Sequence, residues 1–189
     1  MSLDLHDEFR IWLGVYEAEL NAHFRRLIYP RAMCFDVGAA EGYNAVMMAK
    51  LSGREVISFE PGAVWLEKVR AELAKNNLSG QVIQAFVGDE IGDGKTTIDA
   101  AAKAYGMPDF IKMDIEGAET SALRGAASVL STRKPGLIIE VHGLDVEREC
   151  IELLKKHGYR PQRIAPRKLF PEYRPIDHNQ WLVCDGRPV

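Results

Sequence analysis

The residues best suited to chemistry in this chain are carboxylates and a histidine standing at the ends of apolar runs. Phe35-Asp36-Val37-Gly38-Ala39-Ala40-Glu41-Gly42-Tyr43 follows one such run and precedes a helical pattern. That placement is a strand, a tight glycine turn and a helix N-terminus, the ligand-binding corner of a Rossmann-like sheet. Glu60 closes the next apolar run, Val56-Ile57-Ser58-Phe59. Its separation from Gly38 matches the roughly 20 residues expected for an acid that hydrogen-bonds a ribose diol. Together they predict an adenosine-containing cofactor; a turn that binds nothing is the alternative for the glycine loop alone.

The charge of the turn chooses between cofactors. A nicotinamide dinucleotide brings a pyrophosphate, which wants G-x-G-x-x-G and no fixed negative charge. Here the middle glycine is missing and Glu41 would face that anion. S-adenosylmethionine carries a sulfonium and an ammonium, which Asp36, Glu41 and Glu60 attract. Gly38 has no Cβ, so the backbone can approach the methionine moiety closely.

A second cluster reads Phe110-Ile111-Lys112-Met113-Asp114-Ile115-Glu116-Gly117-Ala118-Glu119. Ligands of open α/β sheets bind outside the carboxyl ends of the strands, so Asp114 is expected to project toward whatever the cofactor meets. Glu119, and with it Glu116, has a simpler explanation in the positive end of the helix dipole. The next apolar run ends Ile138-Ile139-Glu140-Val141-His142. Strand alternation turns Glu140 and His142 to the same side. His142 is the candidate general base, with Asp114 orienting the hydroxyl or the imidazole; a solvated loop histidine and a loop-capping aspartate are the bland alternatives. Asp114, Glu116, Glu140 and His142 also form a candidate set for magnesium or manganese, or for substrate.

The elements that must hold these residues alternate. A helix is expected over 5–27, carried by Leu5, Phe9, Trp12, Leu13, Tyr16, Leu20, Phe24 and Leu27 at three- and four-residue steps. It is expected to pack on the sheet, with a lid over the cofactor and a homodimer surface as alternatives. Strands follow at 32–37, 55–59, 82–87, 110–113 and 137–141, with helices at 43–51, 64–78, 97–105, 119–130 and 146–157. Runs at 159–164 and 180–184 read as two closing strands without a helix between them. This is an α/β chain with a mostly parallel Rossmann-like sheet, helices on both faces and an antiparallel pair at one edge. One domain over 1–189 is expected, with an N-terminal helical segment over 1–30 and the core over 31–189.

The 189 residues suffice for one sizeable core. A formal net charge of −3 and a pI near 6.0 disfavour extended nucleic acid as a partner. Three cysteines, Cys34, Cys150 and Cys184, lack metal-ligand spacing and read as buried reduced thiols of a cytoplasmic protein. No apolar stretch is long enough to span a bilayer, so no membrane association is expected.

Taken together, these motifs resemble the FkbM family of class I methyltransferases. The resemblance rests on residues 35–43, Phe59-Glu60-Pro61, Asn76-Asn77-Leu78, residues 111–119 and Ile139-Glu140-Val141-His142; the Lys-Met-Asp-Ile-Glu-Gly-Ala-Glu block is its specific part. It implies a seven-stranded sheet of order 3-2-1-4-5-7-6 with the last strand antiparallel. It implies O-methylation of a small-molecule or sugar hydroxyl with S-adenosylmethionine as cofactor. The cofactor-binding residues would be Asp36, Gly38, Ala39, Glu41, Gly42, Tyr43, Glu60, Pro61, Asp89 and Asp114. Of these, Glu60 would hold the ribose, Gly38 the methionine end, and Asp89 would lie near the adenine.

Three rivals follow from the same residues. An oxidoreductase is disfavoured by Glu41. A nucleic-acid N-methyltransferase would want Asn/Asp-Pro-Pro-aromatic where Asp114-Ile115-Glu116-Gly117 stands, although Arg160, Arg163, Arg167, Lys168 and Arg174, interleaved with Phe170 and Tyr173, could touch RNA. A non-catalytic cofactor-binding module is the third.

Overall fold

Strands buried on both faces need unbroken apolar runs, and the middle of this chain supplies them. The computed structural model describes residues 17–165 and 179–186. Its strands are Cys34–Val37 (β1), Val56–Phe59 (β2), Gly80–Ile83 (β3), Phe86–Gly88 (β4), Lys95–Thr97 (β5), Phe110–Met113 (β6), Gly136–His142 (β7), Gln162–Ile164 (β8) and Asn179–Cys184 (β9). Seven form one sheet in the order β3-β2-β1-β6-β7-β9-β8. β9 is inserted antiparallel between β7 and β8, and the remaining pairings are parallel. This is the sheet order that the resemblance implies.

Alternation along the strands splits the core in two. Phe35, Val37, Ile57, Phe59, Ile111, Met113, Leu137 and Ile139 face one layer. That layer holds Ile98–Tyr105 (α4), Glu119–Arg124 (α5), Ala127–Thr132 (α6) and Leu144–Lys156 (α7). Cys34, Val56, Phe110 and Ile138 face the opposite layer of Asn21–Leu27 (α1), Tyr43–Ser52 (α2) and Ala63–Lys75 (α3). The second face becomes polar toward the strand ends, where Asp36, Ser58, Lys112 and Glu140 replace apolar residues.

The long N-terminal helix takes a different form where it is described. Ala18–Leu20 is a 3-10 turn that runs into α1, and Leu20, Phe24 and Leu27 are buried on the sheet. Phe24 packs on Phe110 with ring centroids 5.6 Å apart. Residues 5–16 lie outside the described residues, as do the basic and aromatic positions at 166–178.

Two elements expected to be continuous are broken. The run 82–87 splits because the main-sheet ladder stops where the Glu60 N–H donates to the Ile83 carbonyl. Phe86 then donates to the Gly94 carbonyl, and β4 pairs in parallel with β5 in a separate two-stranded sheet. The helix at 119–130 divides at Gly125, where α5 crosses β4. A Cβ on Gly125 would fall 2.0 Å from the Gly88 carbonyl oxygen. Asp99 serves the restart: its two carboxylate oxygens accept from the Ser128 and Val129 N–H groups, each at 2.9 Å. These are first-turn donors with no intrahelical partner.

Gly125→Ala is therefore expected to destabilise the protein by about 2 kcal/mol or more through overpacking against backbone. Gly92→Ala, where no atom lies within 4 Å, is the control. Urea unfolding of the pair checks this, with the Gly92 variant keeping the wild-type midpoint.

Candidate active site

The glycine turn after β1 is fixed by its neighbours on both sides. The Gly38 and Ala39 N–H groups donate to the Phe59 carbonyl, and the Asp114 N–H donates to the Val37 carbonyl. Gly38 has φ +82°, and a Cβ there would lie 1.8 Å from the Asp114 carbonyl oxygen. The residue must be glycine for the close approach of β6, and its exposed side then lines a cleft. Gly42, at φ +84°, ends the turn and starts α2.

The cleft has a volume of about 450 Å³ and opens at the carboxyl ends of β1, β2 and β6. Gly38, Glu60, Pro61, Asp114 and Glu116 line it, as the sequence leads one to expect of a ligand site. Trp65, Ala85 and Phe86 also line it; nothing in their spacing marks them, because β4 leaves the sheet only in three dimensions. Among the described lining residues the charged ones are Glu60, Asp114 and Glu116, and none is Lys, Arg or His. Glu60 is buried and braces the loops: its two oxygens accept from Ala40 N (3.0 Å) and Gly62 N (2.8 Å).

Several expected contact residues stand off the wall. Asp36 in β1, Ala39, Glu41 and Gly42 in the turn and Tyr43 at the start of α2 do not line the cleft. Asp89 is turned away from it. Its Oδ1 accepts from Ser121 Oγ at 2.8 Å and its N–H donates to the same hydroxyl, so it ties the end of β4 to α5.

Behind Asp114 lies a buried charge network. Lys112 is 1% exposed. Its Nζ is 3.2 Å from Asp114 Oδ2, 3.9 Å from Glu140 Oε2 and 4.0 Å from Glu17 Oε1. Trp181 Nε1 donates to Glu140 Oε2 at 3.1 Å, across the β7–β9 pair. Asp36 is opposite Lys112 in register. Burial pushes the Asp36 carboxyl up to about 7, against the pull of Lys112, while Asp114, Glu17 and Glu60 push it further up. Burial also works to raise Asp114, but Lys112 and then His142 outweigh it and hold that carboxyl below its ordinary value.

His142 completes the group. Its Nδ1 is 2.9 Å from Glu119 Oε1; its Nε2 is 3.6 Å from Asp114 Oδ1 and 3.8 Å from Glu140 Oε1. Burial works to lower the imidazole, and the Glu119 hydrogen bond with the charges of Asp114 and Glu140 reverses that and raises it. Of the four-residue set, Asp114, Glu140 and His142 bring one ligand atom each within 4.8 Å of one another. Glu116 does not join them: at φ +48° it turns the chain back to the cleft wall. Asp114 is thus the residue shared by cleft and histidine. Lys112 and Glu119 are the participants that sequence alone passed over: the motif around Lys112 gives it no role, and Glu119 reads as a helix-dipole residue.

The three cysteines are buried and unpaired, with Cys34 and Cys184 pushed up to about 12 and Cys150 to about 11 by burial, which leaves them inert thiols.

Residues 75–161 match the methyltransferase FkbM domain model. Over those residues the chain is similar to FkbM methyltransferases. A solved FkbM methyltransferase from Methylobacillus flagellatus KT superposes with TM-score 0.65 at 19% identity, over 85% of this chain and 50% of that one, so the chain spans half that protein's length. A precorrin-6y C5,15-methyltransferase from Geobacter metallireducens GS-15 gives 0.63 at 17% identity, over 88% of this chain and 85% of that chain. An rRNA methylase from Streptococcus thermophilus gives 0.62 at 11%, over 91% and 95%. No curated protein matches the sequence. At these identities the structures establish the class I methyltransferase fold, and with the family match they support a methyltransferase. Among the described residues, no helix is long and apolar enough to cross a membrane.

The raised Asp36 has a consequence for stability. Its folded value of about 7 exceeds the ordinary 3.8, so the folded state holds a proton that the unfolded chain has released. Its contribution is full below about 4 and lost as pH rises to about 7, a change on the order of a few kcal/mol. Asp36→Asn should remove that slope, so the variant gains on wild type between pH 5 and 8. Urea unfolding at both pH values checks the change in the difference.

Proposed function

We propose that this protein is an S-adenosylmethionine-dependent methyltransferase acting on the hydroxyl of a small molecule or sugar. The observation that carries the reading is the charge of the cleft. A wall whose charged residues are Glu60, Asp114 and Glu116 suits a sulfonium and repels a pyrophosphate. The residues present fit the cofactor in shape as well, since Gly38, packed on the Asp114 backbone on its Cβ side, lines the cleft without a side chain of its own. Gly38 would face the methionine end and Glu60 the ribose hydroxyls, while Trp65 and Phe86 offer apolar faces to the base.

When bound, S-adenosylmethionine supplies a methyl group on a positively charged sulfur. The chain's own residues then have to place a hydroxyl oxygen in line with that methyl and take its proton. Asp114, on the wall and within 3.6 Å of His142, is placed to orient the hydroxyl. His142 Nε2 receives the proton as the O–H bond breaks. The oxygen's electron pair would then form the new O–C bond, with the S–C pair left on the departing sulfur. The raised value of His142 means that this base works on the alkaline side of 6.5.

An anionic acceptor is disfavoured by the same carboxylates. Of the basic C-terminal residues that could meet RNA, Arg160 is exposed, Arg163 is paired with Glu147, and Arg167, Lys168 and Arg174 lie outside the described residues. Lys112 serves as the cation that balances Asp114 and Glu140, so the proposed chemistry requires no divalent ion.

The test is release of S-adenosylhomocysteine over a panel of hydroxyl acceptors. For an acceptor that turns over, His142→Ala should lower kcat by about 100-fold or more with cofactor affinity retained, and Asp114→Asn should lower kcat similarly and weaken the cofactor as well. Wild-type turnover in both variants contradicts the assignment. Loss of turnover on chelation, restored by magnesium or manganese, would put an ion in the place assigned to Lys112.

A further inference from the structure

We infer that Glu119 is the positioning residue of His142, holding the imidazole with Nδ1–H toward its carboxylate and the Nε2 lone pair toward Asp114. This rests on the reading of His142 as the group that receives the acceptor proton. A glutamate in the first turn of a helix needs no burial to interact with the helix dipole. Glu119 is 0% exposed. Its polar contacts fall on one oxygen: Oε1 accepts from Gly117 N at 3.0 Å and lies 2.9 Å from His142 Nδ1. Oε2 is buried without a hydrogen-bond partner. Burying a carboxylate with one oxygen unsatisfied is costly, and a solvent-facing position in the same turn would serve the dipole without that cost.

The geometry gives the carboxylate a job. An imidazole that donates Nδ1–H to a carboxylate is fixed in one tautomer and one ring orientation, and the imidazolium formed on taking a proton is stabilised. The ring is faced by Glu119 from α5, by Asp114 from the end of β6 and by Glu140 on its own strand, with Lys112 behind the last two. Only Glu119 touches Nδ1 among these; Asp114 and Glu140 both face Nε2, 3.6 and 3.8 Å away. Glu119 sits at the other nitrogen of the ring from those two carboxylates, and so acts through His142 without touching substrate.

The test uses the full chain and needs no acceptor. Nitrogen-15 NMR of the histidine rings, with His142 identified among the five histidines by its disappearance in His142→Gln, reads the tautomer directly. In wild type the neutral ring should be protonated at Nδ1. In Glu119→Gln it should become a mixture of tautomers, and its titration midpoint should fall by about one pH unit as the neighbouring charge is removed. Calorimetric titration with S-adenosylmethionine should give the same affinity for both proteins. An Nε2-protonated ring in wild type overturns the inference whether or not the variant folds. An unchanged tautomer and midpoint in Glu119→Gln overturns it too. Failure of wild type to bind S-adenosylmethionine would instead count against the proposed function and leave the tautomer result standing on its own.

Discussion

The structure around the site is organised by one buried ammonium. Lys112 stands in the middle of a central strand at a position where an apolar residue would pack, and it is almost wholly out of water. A buried charge of this kind persists only with partners, and removing one partner typically costs more than the pair contributes. The partners arrive from different parts of the chain: Asp114 from the end of the same strand, Glu140 from β7 and Glu17 from the segment before α1. Asp36 on β1 shares the field. Because these elements all carry a charge to the same point, the carboxyl ends of the central strands and the N-terminal segment converge there. The ionised state of Asp114 is a result of that convergence.

A second constraint acts on the backbone. β1 and β6 come so close at their ends that position 38 admits no side chain. That contact sets the edge of the cleft and places Asp114 on its wall. The network behind the wall and the glycine in front of it therefore act on the same residue from two directions. Asp114 joins the cleft, which His142 does not line, to the histidine that the proposed chemistry uses.

Much of this architecture was legible in the sequence. Fully buried parallel strands leave uninterrupted apolar runs, so β1, β2, β6 and β7 announce themselves, and the residues that end those runs are the ones at the site. The parts that were not legible are those settled by contacts between distant segments. The end of β3 depends on a hydrogen bond from Glu60, and the break at Gly125 depends on the carbonyl of Gly88. Local pattern carries neither. Lys112 and Glu119 have ordinary local explanations, and only their burial beside Asp114 and His142 reveals a different one. Asp89 shows the reverse: its position after the third strand suggests a ligand contact, yet Ser121 takes its carboxylate.

Whether the carboxylate-lined cleft selects a sulfonium cofactor is decided by calorimetric titration of wild type and Glu60→Ala with S-adenosylmethionine and with NAD. Saturable binding of S-adenosylmethionine alone is expected, weakened about tenfold or more in the variant by loss of a charge-assisted contact. Binding of NAD, or S-adenosylmethionine affinity indifferent to Glu60, would overturn that selection.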